Sequence, residues 1–269
     1  MTVVLCGIGA DSGNVRPVPA LRADRRFEYV PIPEKGPTTT SDTFGNLERR
    51  LIEGALADGI EAIRPRSRGE WITDPDAIAT QPVHRDPNLS ALTYGEHRPG
   101  YVRRLRALEP GDAVGFYTGL RTGEDATLHR YLVGAFTVAD SPTVLSPEDP
   151  PDRIESTLAR HPANAHRHRL AANGRLYYHD PAFTDRPGDV VIVDGTRPGG
   201  LCDRAVRLSG RREGSHYYLR RDRETALAPA DGRSNGVYLG GFKPAIECSI
   251  DGDRFFEWIA TADGGLAMA

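Results

Sequence analysis

The hydrophobic positions of this chain fall into short apolar runs separated by glycine and proline turns. Thr2 to Ile8 is a continuous β-rich run stopped by glycine, the pattern of a buried strand. Phe27 to Ile32 reads as a second strand, ended by Pro31 and Pro33. From Thr43 to Ala57 the residues Phe44, Leu47, Leu51, Ile52, Ala55 and Leu56 recur at helical spacing. Ser41 or Asp42 fits as N-cap and Gly59 closes the region, so this spacing predicts a helix. A turn-rich stretch, Pro65 to Ser90, follows, and Pro99 to Leu108 predicts a short helix. Pro110-Gly111-Asp112 then turns into a strand from Ala113 to Tyr117, with Tyr131 to Val138 as its hairpin partner.

Ser141 to Pro151 carries four prolines and two acids and is the candidate linker or exposed crossover. Helices are predicted over Asp152 to Arg160 and Ala163 to Ala172, the second capped by Asn173-Gly174. A further Pro-Gly-Asp turn at 187–189 opens the strongest strand, Val190 to Asp194. Strand-like pieces at His216 to Leu219 and Phe255 to Ile259 complete the chain. Strands and helices alternate without a regular βαβ rhythm. The expected class is α/β, a mixed sheet flanked by helices, in a single domain over 1–269, with 141–151 as the candidate internal boundary.

Charge narrows the picture a little. A net charge of −3 gives no global field that would draw the chain to nucleic acid or repel it. The basic residues comprise 32 Arg and two Lys, Lys35 and Lys243, so any anion site would be built from planar, bidentate guanidinium groups. Cys6, Cys202 and Cys248 are too few and too scattered for a disulfide framework or a cysteine-rich zinc site. Met1 runs directly into a strand-like segment, and no apolar stretch nears the roughly 20 residues of a membrane helix. A cytoplasmic location without membrane contact is the expectation.

Four segments carry candidate chemistry. In the first, glycines at 7, 9 and 13 miss the Gly-x-Gly-x-x-Gly spacing, and Pro17 and Pro19 prevent a following helix. That leaves Asp11 and Ser12 at the end of a buried strand, where α/β sites gather, or as a structural Asx-turn. In the second, Glu34 ends the Pro31-Ile-Pro-Glu run. It emerges on the same edge as Asp11 if the two strands are parallel, as a metal-binding or acid–base pair, or else as a solvated loop residue. In the third, His84-Arg85-Asp86-Pro87-Asn88 places an imidazole and a carboxylate two residues apart. This suits a divalent metal, an acid–base pair or an anion clamp through Arg85, with a packed Asp-Pro-Asn turn as the structural alternative. In the fourth, His161 to Arg169 holds three histidines and two arginines. His166 and His168 lie roughly 200° apart on an α-helix. A phosphate-facing patch that includes His166 and Arg169 fits better than a helical zinc site, and an ordinary exposed helix fits as well.

Taken in order, the strand followed by Asp11-Ser12-Gly13, then Pro31-Ile-Pro-Glu34, His84-x-Asp86-Pro87-x-Leu89 and Leu108-x-Pro-Gly-Asp112, resembles the nucleotide-modification-associated domain family of the third type. The match to the family's acidic turn is Thr43-Phe-Gly-Asn-Leu47, with Asn46 in the acid's place. The resemblance implies a role in making or handling modified nucleobases in DNA, with a nucleotide or nucleic acid as partner. By position it implies Asp11, Ser12, Glu34, His84 and Asp86 in the site, with Asp11, Glu34, His84 and Asp86 as catalytic groups and Ser12 on the substrate. The residue patterns add Arg85, Asn88, Tyr117, His166 and Arg169 around the substrate, with a divalent metal as an open question. A looser similarity links the 110–138 hairpin to PUA-like or EVE-like β-barrels that read modified bases, where Phe116, Tyr117 and Tyr131 would stack on a flipped base. An enzyme, a non-catalytic reader of modified bases and a structural partner in a larger complex are the three readings that the sequence leaves open.

Overall fold

All five residues of strand β1 (Val3–Gly7) are buried, so this strand needs cover on both faces. The computed structural model describes residues 1–10, 13–16, 18–51, 53–56, 64–67, 70–122, 127–171, 173–181, 184–211, 217–230, 236–240 and 245–262. After β1 come β2 (Val15–Arg16), β3 (Ile32–Pro33), β4 (Arg64–Ser67), β5 (Glu70–Trp71), helix α1 (Pro75–Thr80), β6 (Val83–His84), β7 (Thr93–Glu96) and α2 (Pro99–Leu105). The chain continues through β8 (Ala113–Thr122), β9 (Thr127–Val138), β10 (Thr143–Leu145) and α3 (Pro151–Arg160) to two 3-10 turns, Ala165–Arg169 and Tyr177–His179. It ends with β11 (Val190–Arg207), β12 (Ser209–Arg211), β13 (Tyr217–Leu219), α4 (Arg221–Leu227), β14 (Ile246–Cys248) and α5 (Gly252–Thr261).

The main sheet runs β10-β11-β9-β8-β1-β14, with β7 added on β11. β1 is parallel to β8 and antiparallel to β14, while β8 and β9 form a long hairpin. β11 changes partners along its length. Up to Asp194 it pairs with β7 and β10, and from Gly195 it pairs with β9, with register shifts at Thr196/Gly199 and Leu201/Val206. A Cβ at Gly195 or Gly199 would overlap Phe136, so glycine is what lets the bent strand cross here. The bends curl the sheet into an open half-barrel flanked by helices.

Period-two alternation sorts β1 between two cores. Val4 and Cys6 join Phe116, Val133 and Phe136 under Tyr101, Val102 and Leu105 of α2. Val3 and Leu5 join Tyr117, Leu132 and Ile246 under Phe255, Phe256 and Ile259 of α5. The three cysteines are buried free thiols. Among the described residues, no helix is long and apolar enough to cross a membrane.

Several expectations need correction. No helix forms over the described part of 43–57. There a few donors stay local, as Leu47 N–H does on Thr43 O, but others go to distant partners: Gly45 N–H to Ala79 O, and Arg50 and Leu51 N–H to the Glu28 carboxylate. The apolar positions are still buried, since Phe44 and Leu56 pack in a small core with Ile78 and Val83. Asn46 accepts from Thr43 N–H and donates to Ser41 O, closing its own turn. The strand expected over 27–32 is reduced to β3. The 163–172 helix is a 3-10 turn. The aromatic run 255–259 lies in α5, where Asp251 caps the helix through Arg254 N–H. The candidate boundary at 141–151 contains β10, which hydrogen-bonds into the main sheet.

Phe255 is fully buried and closes on Gly115 of β8. Phe255→Ala is expected to lower stability by about 3–5 kcal/mol, read as a reduced urea midpoint with the far-ultraviolet circular dichroism of the folded state preserved.

Candidate functional site

Two short strands bring the first pair of groups together. β3 and β6 are antiparallel, with Ile32 opposite His84 and Pro33 opposite Val83. Glu34 continues that ladder through its N–H to Pro82 O, which sets its carboxylate beside the imidazole of His84. His84 Nδ1 lies 3.4 Å from Glu34 Oε2, a long and poorly aligned contact. After His84 the chain folds back. Asp86 N–H donates to His84 O, and Asn88 and Thr93 exchange backbone hydrogen bonds. This turn delivers Gly95 N–H to the Asp86 carboxylate, at 2.9 Å from Oδ1 and 3.2 Å from Oδ2. Asp86 Oδ2 also faces two imidazoles, with His84 Nε2 at 3.5 Å and His166 Nε2 at 3.2 Å.

His166 and Arg169 arrive from the 3-10 turn. At three residues per turn, positions three apart are eclipsed, so both side chains point inward from one face. His168 lies outside, 3.4 Å from the Thr39 hydroxyl. Asn164 caps the turn by accepting from His166 N–H, and it donates to the Thr93 hydroxyl. Thr93 in turn donates to Asp194, whose other oxygen is 2.6 Å from His161 Nδ1. This chain of bonds pins the turn to β7 and β11. Arg169 then closes on Glu34 through two parallel hydrogen bonds, Nε to Oε2 at 2.8 Å and Nη2 to Oε1 at 2.5 Å.

Burial alone would raise the Glu34 carboxyl, but His84 and Arg169 outweigh it and hold the group below the usual carboxylate range. Burial likewise opposes ionisation of Asp86, and hydrogen bonds from His166 and His84 reverse the balance. Burial lowers His166, with Asp86 acting in the opposite direction. Tyr178 backs the centre. Its ring stacks on His97 at 3.8 Å and lies 5.2 Å from the Arg169 guanidinium carbon. A narrow cleft of about 30 Å³, room for roughly one water, opens beside Glu34 and His84 and is bordered by Thr38, Thr40, Arg85 and His168.

Of the residues singled out from sequence, Glu34, His84, Asp86, His166 and Arg169 come together. Arg85 and Asn88 stand at the cleft, where Arg85 donates to Ser90 and Asn88 donates to Ala163 O. Tyr117 is buried in the core beneath α5, away from this centre. Asp11 and Ser12 lie outside the described residues. Ala10, just before them, donates to Val30 O close to β3. Sequence reasoning passed over Gly95, Asn164 and Tyr178. Asn164 alone carried a signal, as a capping residue ahead of the histidine cluster. The three side chains His84, Asp86 and His166 offer metal-ligating atoms that lie within 4.8 Å of one another.

An α/β half-barrel with a buried Glu–Arg–His–Asp–His centre is the setting for the comparison with known families. The chain belongs to the family described as nucleotide modification associated domain 3, whose model matches residues 2–233. That match contains every residue of the centre and ends before β14 and α5. It gives the chain a general association with nucleotide modification. No curated protein and no solved structure shows a significant match.

Arg169→Ala removes the bidentate cation that faces buried Glu34, so a loss of about 3–5 kcal/mol is expected, measurable by urea unfolding at pH 7. Acid should act in two stages. His166 is lowered in the folded state, so the unfolded chain takes up that proton first as the pH falls below about 6.5. Glu34 and Asp86 are also lowered, and their contribution, complete above about pH 5, is lost below about pH 4. Urea midpoints measured from pH 7.5 to 3.5 should therefore fall throughout and most steeply at the acid end. A midpoint constant across that range would contradict these directions.

Proposed function

We propose that the chain is an enzyme acting on a nucleotide or nucleic-acid base in the synthesis or handling of modified bases in DNA, with His84 and Asp86 as catalytic groups. The observation that carries this reading is the convergence of Glu34, His84, Asp86, His166 and Arg169, all buried, at the side of a cleft. Ionisable groups are costly to bury, and a cluster held in one orientation by a bidentate arginine and a capped turn is what directed chemistry requires. Glu34 orients His84, while His166 completes the face around Asp86. Arg85 and Asn88 at the mouth are placed to hold the phosphate and polar edge of a nucleotide. Asp11 and Ser12, which follow Ala10 in sequence, are the remaining members of the proposed site.

The alternative of a base reader built on a PUA-like hairpin has less support. Phe116, Tyr117 and Tyr131 are almost completely buried in the two cores and offer no open stacking face.

The test compares nucleosides by mass spectrometry from cells that carry the gene, lack it, or carry Asp86→Asn. A modified nucleoside should change in abundance on deletion, and Asp86→Asn should reproduce the deletion profile while the protein is still produced. Identical profiles in all three strains would overturn the enzymatic reading. Full complementation by Asp86→Asn would favour a binding role.

A further inference from the structure

We infer that His84, Asp86 and His166 hold one divalent first-row transition-metal ion, with Glu34 as the positioning residue that sets the ring of His84. This deepens the functional reading above by naming a cofactor for the same centre. Its test is metal binding itself, so it can fail while the enzymatic reading survives, and the reverse.

The first argument is geometric. Ligand atoms about 2.0–2.2 Å from a common ion lie roughly 3.0 Å apart at right angles and roughly 3.4 Å apart at a tetrahedral angle. Asp86 Oδ2 is 3.2 Å from His166 Nε2 and 3.5 Å from His84 Nε2, so the two edges through the carboxylate match such a centre, and all three ligand atoms lie within 4.8 Å of one another. All three residues are buried, with His166 only 1% exposed, so this is not a loose surface cluster.

The second argument concerns the atoms behind the ligands. A metal-bound histidine uses one ring nitrogen and gives the other N–H to a carboxylate or carbonyl, which fixes its tautomer. Glu34 Oε2 stands 3.4 Å from His84 Nδ1, too long and poorly aligned for a hydrogen bond as it stands, but it is the carboxylate that would accept that N–H when Nε2 ligates an ion. Glu34 is itself committed, through Arg169 on both oxygens and Lys35 N–H on Oε1, and so acts behind the ligand. Gly95 N–H does the same for Asp86.

The third argument is room. A Cβ at Gly95 would overlap the His166 imidazole, so a glycine at this position is what lets the ring approach Asp86. Two imidazoles with one carboxylate form a nitrogen-rich set that favours zinc, cobalt or iron over magnesium and calcium, which take oxygen ligands. The remaining coordination positions would belong to water or a substrate oxygen, with His84 the ligand that borders the cleft.

The experiment uses the full chain, stripped with a chelator, dialysed and titrated with Co²⁺. About one equivalent should bind with visible ligand-field absorption, Zn²⁺ should displace it, and Zn²⁺ should raise the melting temperature. His166→Ala, Asp86→Asn and Gly95→Ala should each weaken binding at least about 100-fold. Glu34→Gln keeps all three ligands and should weaken it by about 10–100-fold. A wild-type chain that is folded by circular dichroism yet shows neither absorption nor a melting shift would overturn the proposal. So would cobalt uptake that is unchanged in folded Asp86→Asn and His166→Ala. Where a ligand variant does not fold, the wild-type titration and Glu34→Gln decide, and unchanged affinity in Glu34→Gln counts against the assigned role of that carboxylate.

Discussion

The paired hydrogen bonds between Glu34 and Arg169 hold the centre together. They join residues 135 positions apart in sequence, both nearly excluded from water. Neither charge is stable there alone, because desolvation would neutralise or expel it, and each is kept by the other. The pair fixes the 3-10 turn against β3, and the same turn carries His166 to Asp86. Glu34, once held, turns Oε2, which also accepts from Arg169 Nε, toward His84. One ion pair therefore helps set the relative position of three further side chains, His84, Asp86 and His166.

That arrangement depends on the bend in β11. A straight strand would continue along β9 and leave no place for β7. Because β11 changes partners at Gly195, Asp194 reaches the Thr93 hydroxyl and His161 from the sheet, and Asn164 is bound through Thr93. The polar centre sits at the rim where the curled sheet gives way to short ladders, while both apolar cores lie against the sheet faces. Rigid cores and a bonded rim together keep the imidazoles in fixed orientations, as either proton transfer or ion binding requires.

Much of the fold was legible along the chain. The uniformly apolar run at 2–8 and the runs at 113–117, 131–138 and 190–194 announce strands because continuous β-branched stretches have few other ways to be buried. The segments misread are those where periodicity is ambiguous or overridden. Phe255, Phe256, Trp258 and Ile259 are too short a run to separate helix from strand by spacing. Residues 43–57 have helical spacing, yet the backbone donors of Gly45, Arg50 and Leu51 are taken by Ala79 and Glu28, partners that no local pattern reveals.

The sequence by itself determined the chemical inventory: a glutamate after Pro33, a histidine and an aspartate two apart, an arginine-built cation set, and the ordered motifs that mark the family. Tertiary structure decided which of these meet. Glu34 and His84 become neighbours through the antiparallel ladder of β3 and β6, and His166 and Arg169 turn inward because a 3-10 turn eclipses residues three apart. Residue types and local spacings are written in the chain. Contacts between residues 34, 86 and 169 depend on long-range burial and charge pairing, whose energies exist only once water has been excluded.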